Sequence, residues 1–267
     1  MLNNDSNITV VYKTYENDLK WLYYSLLSLK KFVKGINEII IYCHDKCYDE
    51  LHKLINQINI ECSIISVAYD YHGYIKQMVV KSECYKDIKT DYIVILDSDL
   101  LFQEDLNLKD LIEPSGKIKW YYNNNISEVA EERVWKIAYE SMTKTKQDFY
   151  YMANNFPFVF TKKSMEEASI KFRQIHGIDY NNYCLNRCIN YNIQISDSIR
   201  ERFCDLAQIF EEFEWLGYYC HNFSDEYIFI PQEFRNLSTR PKIMQFWSHG
   251  GLTSDIKNQI ENILDIK

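Results

Sequence analysis

Glycine is scarce in this chain, with 7 among 267 residues. No G-x-G-x-x-G follows the first apolar run, so the turn that brings backbone against a dinucleotide pyrophosphate is missing. An excess of basic residues is also missing: 30 Lys and Arg stand against 38 Asp and Glu, giving a net charge of -8 and a pI near 5.3. That balance argues against a nucleic-acid partner, which calls for a basic face to displace phosphate counterions. No uninterrupted apolar run approaches the length of a bilayer span. The first residues, MLNNDSNITVVYK, lack the basic segment and apolar stretch of a secretory leader. No transmembrane segment and a cytoplasmic location are the resulting expectations.

The eight cysteines, at 43, 47, 62, 84, 184, 188, 204 and 220, are scattered and form no compact disulfide framework. Free, buried thiols are expected. Cys43, His44 and Cys47 suggest half of a zinc site, but no second pair follows at a useful spacing. There is no Ser/Gly-rich linker and no repeat. With 46% hydrophobic residues, the chain can bury one large core, or a core and a smaller lobe packed on it.

What is present is a regular alternation in the first hundred residues. Residues 8–12 read as a strand, and Leu19, Leu22, Leu26, Leu29 and Val33 then recur at helical spacing before Gly35 supplies a stop. Residues 38–42 form a second strand, Tyr48, Leu51, Ile55 and Ile58 line a second helix, and 62–68 form a third strand. A third helix over about 74–88 leads into DYIVILDSDLLF, residues 91–102. There, residues 92–96 are apolar and mostly branched, as a central strand covered on both faces requires. This βαβαβαβ order predicts a doubly wound α/β sheet.

The strand delivers Asp97 and Asp99 to the carboxyl edge, where open α/β sheets place their ligands. If the chain stays extended, the two carboxylates point the same way and Ser98 the opposite way. Two acids on one side repel unless a cation lies between them, and oxygen ligands favour Mg²⁺ or Mn²⁺. Helix caps or solvated loop acids are the plainer explanation of such residues.

Beyond residue 112 the alternation is lost. A strand over 156–161 and helices over 163–176 and 184–191 are predicted, and residues 200–213 include another helix. The organisation expected is an α/β half over 1–112 and a second lobe over 113–267, packed as one continuous unit. The segment FEEFEWLGYYCH, residues 210–221, carries three acids among aromatics. Aromatic neighbours raise a carboxyl pKa by desolvation and make it a better base. A helix end with a solvated acidic face is the plainer reading.

Together these residues resemble a GT-A glycosyltransferase, a Rossmann-like nucleotide-binding sheet with a packed C-terminal lobe, in which Asp97-Ser98-Asp99 matches the D-x-D motif. The pattern resembles that of the DUF6492-type group, where a Gly-Tyr-x-x-Gln-x-x-x-Lys helix precedes the D-x-D strand. Gly73, Tyr74, Gln77 and Lys81 stand in it here, and Glu212 to Gly217 resembles its acidic segment. The resemblance implies a metal-dependent transfer of sugar from a nucleotide donor, most simply a UDP-sugar, to a glycan or glycoconjugate acceptor. It gives Asp99 to the cation, and Asp97 to the cation or the ribose. Ser98 falls within the nucleotide site, and Lys81 and Gln77 fall beside the diphosphate. Thr14, Tyr15 and Asp18 sit where such proteins hold the nucleoside, although Asp18 is equally suited to capping the first helix. Glu212 or Glu214 is the implied base, with inversion at the anomeric carbon. His249, in FWSHGG, is the implied downstream metal ligand.

Two other functions compete. A haloacid-dehalogenase-like phosphatase also uses D-x-D at a strand end, but its acids follow the first core strand, and no later paired-Asp strand end completes that site here. A non-catalytic carbohydrate-binding protein is the other alternative, since a fold does not establish activity.

Overall fold

The computed structural model describes residues 7–123, 133–152, 157–231, 243–246 and 248–266, except for the side chains at 133, 134 and 249. The strands are β1 (Ile8–Thr14), β2 (Val33–Lys34), β3 (Glu38–His44), β4 (Ser63–Val67), β5 (Tyr92–Asp97), β6 (Leu100–Phe102), β7 (Leu106–Asn107), β8 (Ile118–Tyr122), β9 (Phe158–Thr161), β10 (Tyr227–Pro231) and β11 (Ile243–Gln245). The helices are α1 (Leu19–Phe32), α2 (Tyr48–Ile58), α3 (Gly73–Glu83), α4 (Arg133–Thr143), α5 (Lys162–His176), α6 (Tyr180–Asn190), α7 (Ile199–Leu206), α8 (Glu212–Phe223) and α9 (Ser254–Leu264).

The central sheet runs β4-β3-β1-β5-β9. Its first four strands are parallel and β9 is antiparallel to β5. All seven residues of β1 are buried, as expected of a strand with neighbours on both edges and helices on both faces. From β1 the chain steps outward to β3 and β4, then returns to the other side of β1 for β5. The direction of winding therefore reverses between β1 and β5, and a crevice opens at their carboxyl ends. The fifth strand, β9, comes from beyond residue 112, so the sheet draws on both halves of the sequence.

One hydrophobic cluster runs from β1 through the helices to Trp215, Leu216 and Tyr227. A second one, built on Trp21, Tyr24, Leu101, Ile260 and Leu264, docks α9 on α1. Phe246 packs beside Trp21 in that second cluster, with ring centroids 5.7 Å apart.

The helix expected within 200–213 is α7, and a further helix follows it. α7 ends at Leu206 and α8 begins at Glu212, because the Glu211 side chain accepts the Glu214 N–H at 2.5 Å and caps a new helix. The acids therefore open a buried helix, where carboxylates suit the positive end of the helix dipole. All eight cysteines are free and six are buried. No described helix is long and apolar enough to cross a membrane.

Candidate functional site

Lys13 and Asp97 face each other in the β1–β5 register at the mouth of the crevice. β5 ends at Asp97 and the chain turns at Ser98 and Asp99, so the alternation argument stops one residue short of the second acid. Tertiary contacts set that turn. The Ser98 hydroxyl donates to the Lys13 carbonyl at 3.3 Å, and the Asp99 carbonyl accepts the Phe246 N–H at 3.0 Å. Asp99 Oδ2 accepts the Ser248 N–H at 2.8 Å. Its Oδ1 is buried without a hydrogen-bond partner among the described residues.

Asp18 stands at the N-cap position of α1 yet makes no side-chain cap. It turns towards the D-x-D acids. Burial, with Asp99 and then Asp97 adding repulsion against a Ser248 hydrogen bond, lifts the Asp18 pKa to about 7. Burial and Asp97 lift Asp99 to about 6, against the Ser248 N–H and Lys81. Such repulsion is what a bound cation relieves.

Among the described residues, no three His, Cys, Asp or Glu side chains are gathered so as to hold a metal on protein ligands alone. The donor set does fit a hard cation that completes its shell with phosphate oxygens and water, because such ions need only one or two carboxylates. Asp97 and Asp99 would hold it, and the unpartnered oxygen of Asp99 is the observation in favour. The side chain of His249 lies outside the described residues. Its backbone belongs to the short turn Ser248–Gly250, which Ser248 attaches to Asp99.

Lys81 closes the floor of the site. Its Nζ lies 2.5 Å from Asp97 Oδ1 and 3.0 Å from Glu212 Oε1, and the residue is only 3% exposed. Burial alone lowers a lysine pKa, but Asp97 and Glu212 outweigh it and hold the ammonium charged, above its ordinary range. On Glu212 burial raises the pKa and Lys81 opposes it. The D-x-D strand, α3 and α8 thus meet at one buried ammonium.

The three acids of the α8 segment have separate partners. Glu214 Oε1 accepts the N–H groups of Tyr151 and Met152 at 2.8 and 3.0 Å, and Oε2 accepts the Gln147 amide at 3.0 Å. It anchors a chain segment. Gly217 completes that anchor, since a Cβ there would meet Tyr151 Cγ at 2.5 Å. Glu211 caps the helix, and burial together with Glu212 and Glu214 raises its pKa well above the ordinary range. Glu212 is the acid shared with Lys81.

Tyr15 is half-buried at the end of β1. Burial and the nearby Asp18, Glu16 and Asp99 charges lift its pKa to about 12, so its ring stands beside the acids. The Thr14 hydroxyl turns to the Tyr15 carbonyl at 3.5 Å. Gln77 is half-buried one turn before Lys81, and its side chain makes no hydrogen bond to a described residue. The sequence reading missed Lys13, Tyr69, Glu211 and Ser248. Lys13 carried one signal, a lone lysine at the end of a β-branched strand.

Lys81 reaches two acids, and Gly73 lets the Tyr69 ring lie on the first turn of α3. A model of a family of unknown function, DUF6492, matches residues 8–233. The chain belongs to the DUF6492 family. The match takes in every site residue discussed above except Phe246 and the Ser248–Gly250 turn with His249, which lie beyond its end. The description of DUF6492 assigns no activity. No curated protein matches the chain.

Proposed function

We propose that this DUF6492 protein has a GT-A-type architecture and is a metal-dependent glycosyltransferase, moving a sugar from a nucleotide donor, most simply a UDP-sugar, to a glycan or glycoconjugate hydroxyl. The observation that carries the reading is the crowding of Asp18, Asp97 and Asp99 at the β1–β5 crevice, with one buried Asp99 oxygen lacking a partner. A sheet ordered β4-β3-β1-β5 with an antiparallel β9 beside the acid-tipped strand supports it too.

In this reading Tyr15 stacks on the base at the end of β1. Asp97 and Asp99 hold Mn²⁺ or Mg²⁺, which supplies charge neutralisation for the departing diphosphate. Glu212 takes the acceptor hydroxyl proton as the acceptor oxygen bonds to the anomeric carbon and the carbon–phosphate-oxygen bond breaks. Lys81 keeps Glu212 in place through a carboxylate oxygen. Glu214 is already engaged by two backbone N–H groups and an amide, so Glu212 is the better base of the two. One displacement inverts the centre.

The test is a screen of nucleotide sugars for Mn²⁺-dependent hydrolysis and transfer. Release of nucleoside diphosphate supports the reading. Phosphate-monoester hydrolysis abolished by Asp97→Asn would replace it with a phosphatase.

A further inference from the structure

The carboxyl end of β1 carries a buried lysine that forms no ion pair with a described residue, although Asp18 lies within electrostatic reach of it. Lys13 is 4% exposed, and its Nζ donates to the Thr14 carbonyl at 2.5 Å and the Tyr69 hydroxyl at 2.6 Å. Both acceptors are neutral. Among the described residues Lys13 forms no ion pair with a carboxylate, and its register partner Asp97 is taken by Lys81. Burying an ammonium without a counter-charge is costly. An ammonium has three donors, and two are used.

The position of this charge matters more than its burial. Lys13 lies at the point where the sheet reverses its winding, within electrostatic reach of Lys81 and Asp18, and its own carbonyl is tied to Ser98 of the D-x-D turn. Asp18, Asp97 and Asp99 crowd negative charge that a cation would relieve, while Lys13, without an ion pair, is suited to an anion. A ligand that answers both carries several negative oxygens, some for a cation and some for an ammonium.

We propose that Lys13 is the direct anion-binding group of this crevice and donates to a phosphate oxygen of a bound diphosphate. The proposal rests on the nucleotide-sugar reading for the identity of the whole ligand, though not for the anion site itself. Tyr69 acts as the holder of Lys13. Gly73 permits it, because a Cβ at that position would meet the Tyr69 ring at 2.8 Å.

The test uses the full chain and two probes, inorganic pyrophosphate and UDP, each titrated calorimetrically with and without Mn²⁺ into the parent, Lys13→Met, Lys13→Arg and Tyr69→Phe. Lys13→Met is expected to melt no lower than the parent, since an apolar chain replaces a buried charge that has no ion pair. It should lose roughly tenfold or more in affinity for both probes, as expected for one charge-assisted hydrogen bond. Lys13→Arg should recover part of that loss, and Tyr69→Phe should bind better than Lys13→Met.

Affinities of folded Lys13→Met equal to those of the parent would overturn the proposal, as would its failure to fold, which makes the lysine a structural strut for Tyr69. The two readings fail separately. Pyrophosphate binding through Lys13 with no preference for UDP keeps the anion site and removes the nucleotide reading. Cation-dependent UDP binding that ignores Lys13 does the reverse. No binding of either probe to the parent removes both.

Discussion

Lys81 and Glu212 stand 131 residues apart in the sequence and 3.0 Å apart in the fold. The same ammonium reaches Asp97, so the acid at the end of β5 and the acid at the start of α8 are joined through one buried charge. Lys81→Met would leave the buried Glu212 carboxylate and the partly exposed Asp97 carboxylate without their partner. A loss of about 3–5 kcal/mol is expected in urea denaturation. Adding Glu212→Gln to Lys81→Met should return part of it, because one uncompensated charge is removed. A double variant no more stable than Lys81→Met would mean that the pair is uncoupled.

Gly217→Ala is expected to destabilise the chain more than Gly-to-Ala exchange ordinarily stabilises a helix interior, which is about 1 kcal/mol. The added methyl runs into the base of the Tyr151 side chain, which backbone N–H bonds to Glu214 hold in place. Glu214→Gln should act at the same locus by replacing an acceptor oxygen with a donor opposite other donors. Thermal melts of both variants check this. An unchanged midpoint for Gly217→Ala would show that Tyr151 can move aside.

The crowded acids set a pH dependence whose sign can be worked out. Asp18 has its ordinary pKa of 3.8 when unfolded and about 7 when folded. Between those values the native state holds the extra proton, so the contribution to stability is greatest below about pH 4 and is lost as pH rises through 7. Asp18→Asn should therefore stabilise the metal-free chain at pH 8, by a few kcal/mol at most, and leave it unchanged near pH 4. Mn²⁺ should raise the parent's melting temperature at pH 8 and much less at pH 5, where Asp99, with a pKa of about 6, is largely protonated. A melting temperature equally responsive to Mn²⁺ at both pH values contradicts the cation site.

Much of the architecture was legible because burial on both faces writes itself into a strand as a run of branched residues. Residues 92–96 and 38–42 were found that way, and the acid tip of β5 followed. Lys81 and Glu212 were singled out as separate candidates, but nothing in one sequence says that a helix and a distant turn share a charge. The Asp99 contact with Ser248 spans 149 residues and uses a backbone N–H, a group every non-proline residue has. The boundary between α7 and α8 was hidden for another reason. Its apolar residues keep a helical texture, and the Glu211 cap is visible only once the Glu214 N–H is placed beside it.

Turnover should separate the acids. Glu212→Gln is expected to lower turnover by about 10²- to 10⁴-fold with little change in donor affinity, as general-base removal does. Steady-state kinetics with a responsive acceptor measures this. NMR of the product from an α-linked donor should show the β anomer, and an α product would remove Glu212 from the role of base in a single displacement.

The most direct test of the central claim is a calorimetric titration of UDP into the parent and Asp99→Asn, with and without Mn²⁺. The expected result is parent binding that depends strongly on Mn²⁺ and a folded Asp99→Asn chain that has lost most of that dependence. UDP binding with the same Mn²⁺ response in both proteins, or no UDP binding to the parent, would contradict it.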